Sequence, residues 1–335
     1  MTCWGKSSGV IRERNKMLNR FKDHIERIDR ELEKALSSRL GLVEDMGGHV
    51  LLGNGKRLRP LCFVLSCHIC DYQAENIYEL STIFEYIHAA SLLHDDVLDN
   101  ADIRRSRPSA NSAWGNHAAI LEGDFFYAKS LSLAVGSNSL IFLDRLAEAT
   151  TQMVEGQIME MVHTHNWSMG ERDYLDIITS KTASLISTAC VCGAIVAKAG
   201  EGPEQALMEF GLNMGIAFQL MDDVLDYVSS EDIFGKPVGK DLIEGKITLP
   251  LIHALAGLDE EKRTRFESLF KEGRAKNADY LDLMELVRDS GSLDRVTKVA
   301  ETYVEKAARS LDVFPDSSGK RGLLDLNRYV VQREY

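Results

Sequence analysis

Apolar residues recur every three or four positions along most of the chain, which is the spacing of a helix with one buried face. The stretch from 80 to 98 shows this clearly, with apolar residues at Ile83, Phe84, Ile87, Ala90, Leu93 and Val97. Similar patterns run through residues 21–36, 141–162, 174–199, 204–227 and 280–311. Because no segment alternates as a strand would, we predict an all-α protein.

The prolines agree with this helical pattern. Pro60, Pro203 and Pro250 each stand where a helix could begin, and proline suits the first helical turn because the missing N–H has no partner there. No linker, low-complexity tract or short-period repeat divides the chain. We therefore expect a flexible N-terminus over residues 1–11, followed by a single helical domain over residues 12–335.

Composition and charge narrow the class of function. The net charge of −12 over 335 residues argues against a nucleic-acid partner. Six cysteines without framework spacing indicate free thiols in a reducing compartment, so we expect a cytoplasmic protein. Cys67 and Cys70 form a C-x-x-C pattern, which buried helix positions explain better than a redox or zinc site. No stretch approaches ~20 apolar residues, so we predict no transmembrane segment, and we expect no signal peptide.

The pattern Asp-Asp-Val-Leu-Asp occurs twice, each time after an apolar helical turn. Its six carboxylates are those of Asp95, Asp96, Asp99, Asp222, Asp223 and Asp226. Residues four apart lie on one helix face, so each copy presents carboxylates together. The spacing does not fit a calcium loop. A solvated helix end would explain one copy, but two copies favour a pair of Mg²⁺-binding walls that grip a diphosphate between them.

Basic residues supply the positive charge that an acidic protein needs to bind such an anion. The run GNGKRLRP at residues 53–60 places Lys56, Arg57 and Arg59 at the start of a helix, where free backbone N–H groups also favour anions. An ordinary basic loop would look the same. Further basic residues are Arg104, Arg105, Lys181, Lys236, Lys240 and Lys246. Together they would serve two anionic substrates, one bound through Mg²⁺ and one by Lys and Arg alone.

Four ordered motifs, GKRLRP, LLHDDVLDNADIRR, FQLMDDVLDY and GKPVGKDLIEGKITLPL, strongly resemble those of the trans-polyprenyl diphosphate synthases. The likeness is greatest to the medium- and long-chain branch, which includes octaprenyl diphosphate synthases, and it extends from about residue 21 to the C-terminus. It implies a single-domain isoprenoid-synthase-type helical bundle around a deep central cavity. It also implies a Mg²⁺-dependent prenyltransferase. Because family members generally dimerise, we expect a homodimer.

The resemblance also implies a reaction and a role for each motif residue. Isopentenyl diphosphate would condense repeatedly, head to tail and in trans, with an allylic prenyl diphosphate to give a product of about octaprenyl length, for use as a quinone side chain. Asp95, Asp99 and Asp222 would bind Mg²⁺, supported by Asp96, Asp223 and Asp226. Contacts to the allylic diphosphate or its cation would come from Arg104, Lys181, Thr182, Gln219, Lys236 and Lys246, and contacts to isopentenyl diphosphate from Lys56, Arg59, His88 and Arg105.

The role of His88 and two departures from the family pattern, Asn54 and Ser106, bear on the predicted activity. His88 stands seven residues before Asp95, so two helical turns place both on one face, although a lone helical histidine is more often structural. Asn54 and Ser106 stand where the family commonly has glycine, and Ser106 would alter the turn that presents the arginines. Neither change removes a charged group, so we expect activity.

The helix before Asp95 should line the space for the growing product. Ala90 and Ser91, one turn back, are small, and short-chain members of the family often carry aromatic rings at this level, so an open level implies a long product. Ile87 and Phe84 lie deeper, with Phe84 roughly 16 Å from the aspartates along a straight helix. Phe84 is either a floor or part of the core, and residues 125–135 are the alternative floor.

Two other functions fit parts of the sequence. A class I terpene cyclase also ionises a prenyl diphosphate, but usually has a different second motif, and GKRLRP would have no obvious role in it. A regulatory subunit of a heteromeric synthase would tend to lose one or both Asp motifs, and both are intact here.

Overall fold

A computed structural model describes residues 20–36, 38–53, 55–104, 107–228, 239–271 and 274–332. The predicted flexible stretch 1–11 lies outside the described residues, and so do the predicted site residues Arg105 and Lys236 and the two departures Asn54 and Ser106.

The described chain is almost entirely helical, as predicted. The helices are α1 (Lys22–Ala35), α2 (Gly41–Leu51), α3 (Leu58–Ile69), α4 (Asn76–Leu98), α5 (Ala110–Trp114), α6 (Asn116–Val135), α7 (Leu140–His163), α8 (Glu171–Ile178), α9 (Ser184–Ala197), α10 (Glu201–Val228), α11 (Lys240–Ile243), α12 (Leu249–Leu255), α13 (Glu260–Lys271), α14 (Asn277–Asp289), α15 (Ser292–Ser310) and α16 (Ser318–Val331). Two-residue strands β1 (Ile103–Arg104) and β2 (Arg107–Pro108) form an antiparallel hairpin after α4, which the sequence did not predict.

Local sequence explains several of the helix boundaries. Pro250 occupies the first turn of α12, and Pro60 and Pro203 fall within the first three residues of α3 and α10. The side chains of Ser139 and Ser317 cap α7 and α16, each by accepting a hydrogen bond from a backbone N–H in the first turn.

The core is organised around α9, whose residues from Ser184 to Ile195 are all buried. This helix packs against α3, α7 and α10. Gly193 permits the close approach to α3, because a Cβ atom there would lie 2.6 Å from the Cβ of Ser66. The apolar packing around α9 thereby fixes the relative positions of the helices that carry the candidate site.

A single π-helical turn, Thr179–Ala183, joins α8 to α9 in one continuous helix. Such turns insert one extra residue into a helix and occur often at functional sites. This turn carries Lys181 and Thr182, and it lies against α7 at Gly156, where a Cβ atom would approach the backbone nitrogen of Lys181 to 2.5 Å. The close contact holds the backbone of Lys181 in place.

The continuous helix Glu171–Ala197 is long and apolar enough to cross a membrane, but 78% of its apolar window is buried inside the fold. A core helix passes the same test, so this helix lends no support to a transmembrane segment. Cysteines 62, 67, 70, 190 and 192 are free thiols. Within the C-x-x-C pattern, Cys67 is buried in α3 as expected, whereas Cys70 is half-buried and follows the last residue of that helix.

Candidate active site

The first acidic cluster lies at the C-terminal end of α4. Asp95 and Asp99 are one turn apart, and each faces a lysine from another part of the chain. The Nζ of Lys181 lies 4.0 Å from Oδ2 of Asp95, and the Nζ of Lys246 lies 3.7 Å from Oδ2 of Asp99.

Glu160 of α7 connects these two lysines. Its Oε2 atom accepts a hydrogen bond from Lys181 at 2.5 Å and lies 4.0 Å from the Nζ of Lys246. Lys246 also donates to Glu244 at 2.7 Å. Two ammonium groups are thus held close together because two helices, α4 and α7, and the loop after α11 surround them with carboxylates.

The second acidic cluster, on α10, is tied to the π-helical turn by side-chain hydrogen bonds. Asp223 is buried and accepts from the hydroxyl of Tyr174 at 2.6 Å and from Nε2 of Gln219 at 2.8 Å. The Oε1 atom of Gln219 in turn accepts from the hydroxyl of Thr182 at 2.9 Å. Since Thr182 follows Lys181, a short chain of contacts runs from Asp95 on α4 to Asp223 on α10.

The loop around α11 closes the same site from the other direction. The backbone N–H of Asp241 donates to Oδ2 of Asp226 at 3.1 Å, and the N–H of Lys246 donates to the carbonyl of Asp241 at 2.8 Å. The ammonium of Lys246 therefore faces the first cluster, and its backbone is linked to the second cluster through Asp241. Both acidic clusters border one site, with Lys181 and Lys246 between them.

The electrostatics of this site show an excess of negative charge. Burial raises the pKa of Asp95, and the nearby Glu160 and Asp99 carboxylates raise it further, although Lys181 opposes them. Burial likewise raises the pKa of Asp223 to about 7 despite its two hydrogen bonds. Burial alone would lower the pKa of Lys246, but the surrounding carboxylates raise it well above its usual value, so this lysine stays charged.

The donor set fits a metal that is shared with a substrate. Among the described residues, no three Asp, Glu, His or Cys side chains stand close enough to hold a metal by themselves. Mg²⁺ rarely needs such a cage, because it usually binds one or two carboxylates together with waters and substrate phosphates. Asp95 and Asp99 on one side, and the half-buried Asp222 on the other, provide this arrangement, and a divalent cation would offset the crowded negative charge.

Asp96 and Arg104 form a separate contact on another face of α4. Asp96 is only 3% exposed, and its Oδ1 atom accepts from Nε of Arg104 at 2.6 Å. The carbonyl of Asp96 accepts from the N–H of Ala101 at 2.9 Å. The structure therefore places Asp96 as the anchor of the β1–β2 hairpin, and through that bond it orients Arg104.

The predicted metal-free site gathers around the start of α3. Arg59 lies in the first turn of α3, and the Nζ of Lys56 lies 5.4 Å from the ring centre of Tyr329 on α16. Arg57 donates to Glu85 at 2.9 Å, which brings the loop against α4 one turn before His88. His88 is half-buried there.

The predicted wall residues occupy successive levels of α4. Ala90, Ile87 and Phe84 are fully buried, and the hydroxyl of the half-buried Ser91 donates to the carbonyl of His88 at 2.8 Å. Phe84 does not stand alone, since its ring centre lies 5.4 Å from that of Phe63 and 6.3 Å from that of Phe142. Three rings from α3, α4 and α7 thus pack together at the deepest of these levels.

Sequence reasoning missed several polar residues of the site, namely Glu160, Tyr174, Asp241 and Glu244. Tyr174 carried a signal, because it stands seven residues, or two helical turns, before Lys181. Asp241 and Glu244 alternate with the lysines of the same loop, which is also a readable pattern. Glu160 carried no signal, since a single glutamate on a long helix looks like any other solvated charge.

Comparison with known proteins shows which family this chain belongs to. The sequence profile described as Polyprenyl synthetase matches residues 41–287, which is most of the chain. The chain belongs to the polyprenyl synthetase family.

Individual relatives span nearly the whole of this polyprenyl synthetase. Octaprenyl diphosphate synthase from Haemophilus influenzae is 35% identical over 311 residues, covering 93% of this chain and 94% of that protein. Heptaprenyl diphosphate synthase component 2 from Bacillus subtilis is 33% identical over 313 residues, covering 93% and 89%. The crystal structure of a polyprenyl synthase from Caulobacter crescentus, complexed with calcium and isoprenyl diphosphate, aligns with a TM-score of 0.89 at 32% identity, covering 96% and 98%. The predicted family and the predicted all-α isoprenoid-synthase fold are confirmed.

The hydrogen bond between Tyr174 and Asp223 should contribute measurably to stability. At pH 8, above the Asp223 pKa of about 7, Tyr174→Phe leaves a buried carboxylate short of one donor, which should cost about 1–3 kcal/mol of unfolding free energy. Tyr227→Phe is the matched control, because that buried hydroxyl lies 3.5 Å from the neutral Thr248. Urea unfolding followed by circular dichroism measures both variants. An equal or smaller loss in Tyr174→Phe would contradict the assignment.

Proposed function

We propose that this chain is a Mg²⁺-dependent trans-polyprenyl diphosphate synthase, which condenses isopentenyl diphosphate repeatedly, head to tail, with an allylic prenyl diphosphate. The observation that carries this proposal is the single site formed by the two acidic clusters, with Lys181 and Lys246 held between them. The names of the relatives, which include octaprenyl diphosphate synthase, support the same reaction.

The residues around Lys181 are suited to hold the allylic diphosphate and release it. Lys181 and Lys246 would exchange their carboxylate partners for phosphate oxygens, and Arg104 would approach from the hairpin. Asp95, Asp99 and Asp222 would hold Mg²⁺ together with the diphosphate, and the bound ion supplies Lewis-acid assistance to its departure. The complex of the Caulobacter protein with calcium and isoprenyl diphosphate supports the use of a divalent ion together with the substrate.

Thr182 and Gln219 would face the carbon skeleton as the allylic carbon–oxygen bond breaks. Their hydrogen bond fixes the orientation of both side chains, and Asp223 holds the amide of Gln219 from the other side. Isopentenyl diphosphate would bind at Lys56, Arg59 and His88, with Arg105 as a further proposed ligand. Its double bond attacks the allylic cation, and loss of a proton restores the allylic product for another cycle.

Substitution of one aspartate in each cluster tests the function directly. Asp95→Asn and Asp222→Asn keep the side-chain shape but remove a metal-binding charge, so each should lower condensation by about 1,000-fold or more. The assay measures incorporation of labelled isopentenyl diphosphate with farnesyl diphosphate and Mg²⁺, and chelation of the metal should abolish the wild-type rate.

The exposed Asp312→Asn is the control, and circular dichroism checks that each variant remains folded. Near-normal activity in either cluster variant would contradict the metal assignment. Release of a cyclised hydrocarbon from farnesyl diphosphate alone would indicate a terpene cyclase, and activity of the purified chain alone would exclude a purely regulatory subunit.

We further propose that the product extends along α4 into a central cavity that ends at the cluster of Phe63, Phe84 and Phe142. Ala90 and Ser91 leave the upper level open, because one is a methyl group and the other has its hydroxyl bonded to the helix backbone. Residues 125–135, on α6, are the alternative floor. A product of about octaprenyl length agrees with the names of the medium-chain relatives.

Changes at the two levels should alter chain length in opposite directions. Ser91→Phe places a ring one turn from Asp95 and should shorten the product by several five-carbon units. Phe84→Leu removes part of the floor and should lengthen the product by at least one unit. Phe126→Leu, which changes a buried ring that packs on Tyr86, should leave the product length unchanged. Reversed-phase chromatography of the dephosphorylated products measures the lengths. An unchanged length in both Ser91→Phe and Phe84→Leu would contradict the proposed cavity.

We propose that two copies of the chain pair through one apolar face of α6 and α7. The exposed apolar residues of this face are Ile120, Leu121, Leu131, Val135, Leu140, Ile141, Val154, Ile158, Met161 and Val162. Large apolar side chains exposed together on consecutive helices are typical of an interface. The name of the Bacillus relative, heptaprenyl diphosphate synthase component 2, raises the alternative that a different chain covers this face.

Charges on this face should separate the copies. Val154→Glu with Ile158→Glu should shift the chain from a dimer to a 37.4 kDa monomer in sedimentation velocity, while Val313→Glu, at a more exposed valine elsewhere, should not. A wild-type chain that sediments as a monomer would contradict the homodimer.

We also propose a cytoplasmic location and use of the product as a quinone side chain. The free cysteines support a reducing compartment. Fractionation of cells against a cytoplasmic marker tests the location.

A further inference from the structure

Arg57 is a buried arginine in a backbone conformation that side chains rarely adopt. Its φ angle is +51°, in the left-handed region, and its side chain is 2% exposed. Both features are unfavourable for a charged residue unless its surroundings hold it there. It stands between Lys56 and Leu58, directly before α3.

The surroundings of Arg57 supply acceptors from three separate helices. Its Nε donates to Asp29 of α1 at 2.7 Å and its Nη1 donates to Glu85 of α4 at 2.9 Å. Its Nη2 donates to the carbonyl of Leu51 of α2 at 2.5 Å and, more weakly, to that of Gly53 at 3.4 Å. A planar guanidinium with a fixed fork of donors can make all of these bonds at once.

These bonds fix the loop that carries Lys56 and Arg59. The left-handed backbone at Arg57 turns the chain sharply, while the bond to Gly53 closes the turn on itself. The bond to Glu85 sets the turn against α4, where His88 follows one helical turn later. Arg57 is therefore directed away from solvent and links the three basic groups of the metal-free site.

We propose that Arg57 is a positioning residue for the isopentenyl diphosphate site: it does not touch the substrate, but holds Lys56, Arg59 and His88 in register for one anion. This inference rests on the proposed function, because it presumes that these three residues bind the second substrate. A preformed cradle avoids the entropy of ordering flexible cationic side chains when the anion binds.

Arg57→Lys tests the proposal because lysine keeps the charge but cannot reach all the acceptors of the fork. The Michaelis constant for isopentenyl diphosphate should rise on the order of tenfold, while that for the allylic substrate and kcat change by about twofold or less. Calorimetric titration of the enzyme with isopentenyl diphosphate should show the same loss of affinity without any catalytic step.

Asp29→Asn provides a second variant if Arg57→Lys fails to fold. Its side chain is 38% exposed, so the substitution should be tolerated, and it weakens only one of the bonds to Arg57. The affinity for isopentenyl diphosphate should then fall about threefold, by the same reasoning. Arg30→Lys, at the exposed neighbouring position of α1, is the matched control and should bind normally.

An unchanged affinity for isopentenyl diphosphate in the folded variants would overturn the proposal. So would an equal rise of both Michaelis constants, since that would indicate a general structural role. Absence of condensation in the wild-type chain would overturn the proposed function instead, while the calorimetric comparison of wild type, Arg57→Lys and Asp29→Asn still decides the role of Arg57.

Discussion

The site depends on charge neutralisation between two partly buried lysines and the carboxylates that surround them. Lys181 and Lys246 approach each other because Glu160 lies between them, and they reach Asp95 and Asp99 because α4, α7, the π-helical turn and the loop around α11 meet at one place. Neither the lysines nor the aspartates would be stable there alone, since isolated charges in a partly buried site are costly. The rest of the fold positions these partners, with α9 as the packed centre.

This balance explains how a chain with a net charge of −12 can bind two anionic substrates. Positive charge is concentrated at two places, the lysine pair and the loop before α3, and carboxylates hold both. At the lysine pair a phosphate would replace these carboxylates as partners, whereas at the loop the carboxylates around Arg57 would stay in place. In the proposed function, the carboxylates at the lysine pair would also be the ligands of a divalent cation. At the loop, the charge of Arg57 is paired with Asp29 and Glu85, so that in the proposed function Lys56 and Arg59 would be left to bind the substrate.

The sequence predicted the helical class, most helix positions and the residues of both acidic clusters, because apolar periodicity and the repeated DDVLD pattern are local signals. It did not predict the β1–β2 hairpin or the bond of Asp96 to Arg104, since Asp96 shares its motif with Asp95 and Asp99 but lies on another face. The π-helical turn was also missed, because the residues after it, from Ser184 to Ile195, are buried on every side and leave no single apolar face on which a one-residue shift would show. Glu160 and Tyr174 act through partners that are distant in sequence; the spacing of Tyr174 from Lys181 is a readable signal, whereas only the folded arrangement shows Glu160.

The central claim is that both acidic clusters bind metal together with one diphosphate. The most direct measurement is a crystal structure with Mn²⁺ in place of Mg²⁺ and a non-ionisable allylic thiolodiphosphate, in which anomalous scattering locates the metal. The account predicts metal ligated by Asp95 and Asp99 on one side and by Asp222 on the other, with the diphosphate between them and Lys181 and Lys246 turned towards its oxygens. Metal at only one cluster, or a diphosphate bound away from both, would contradict it.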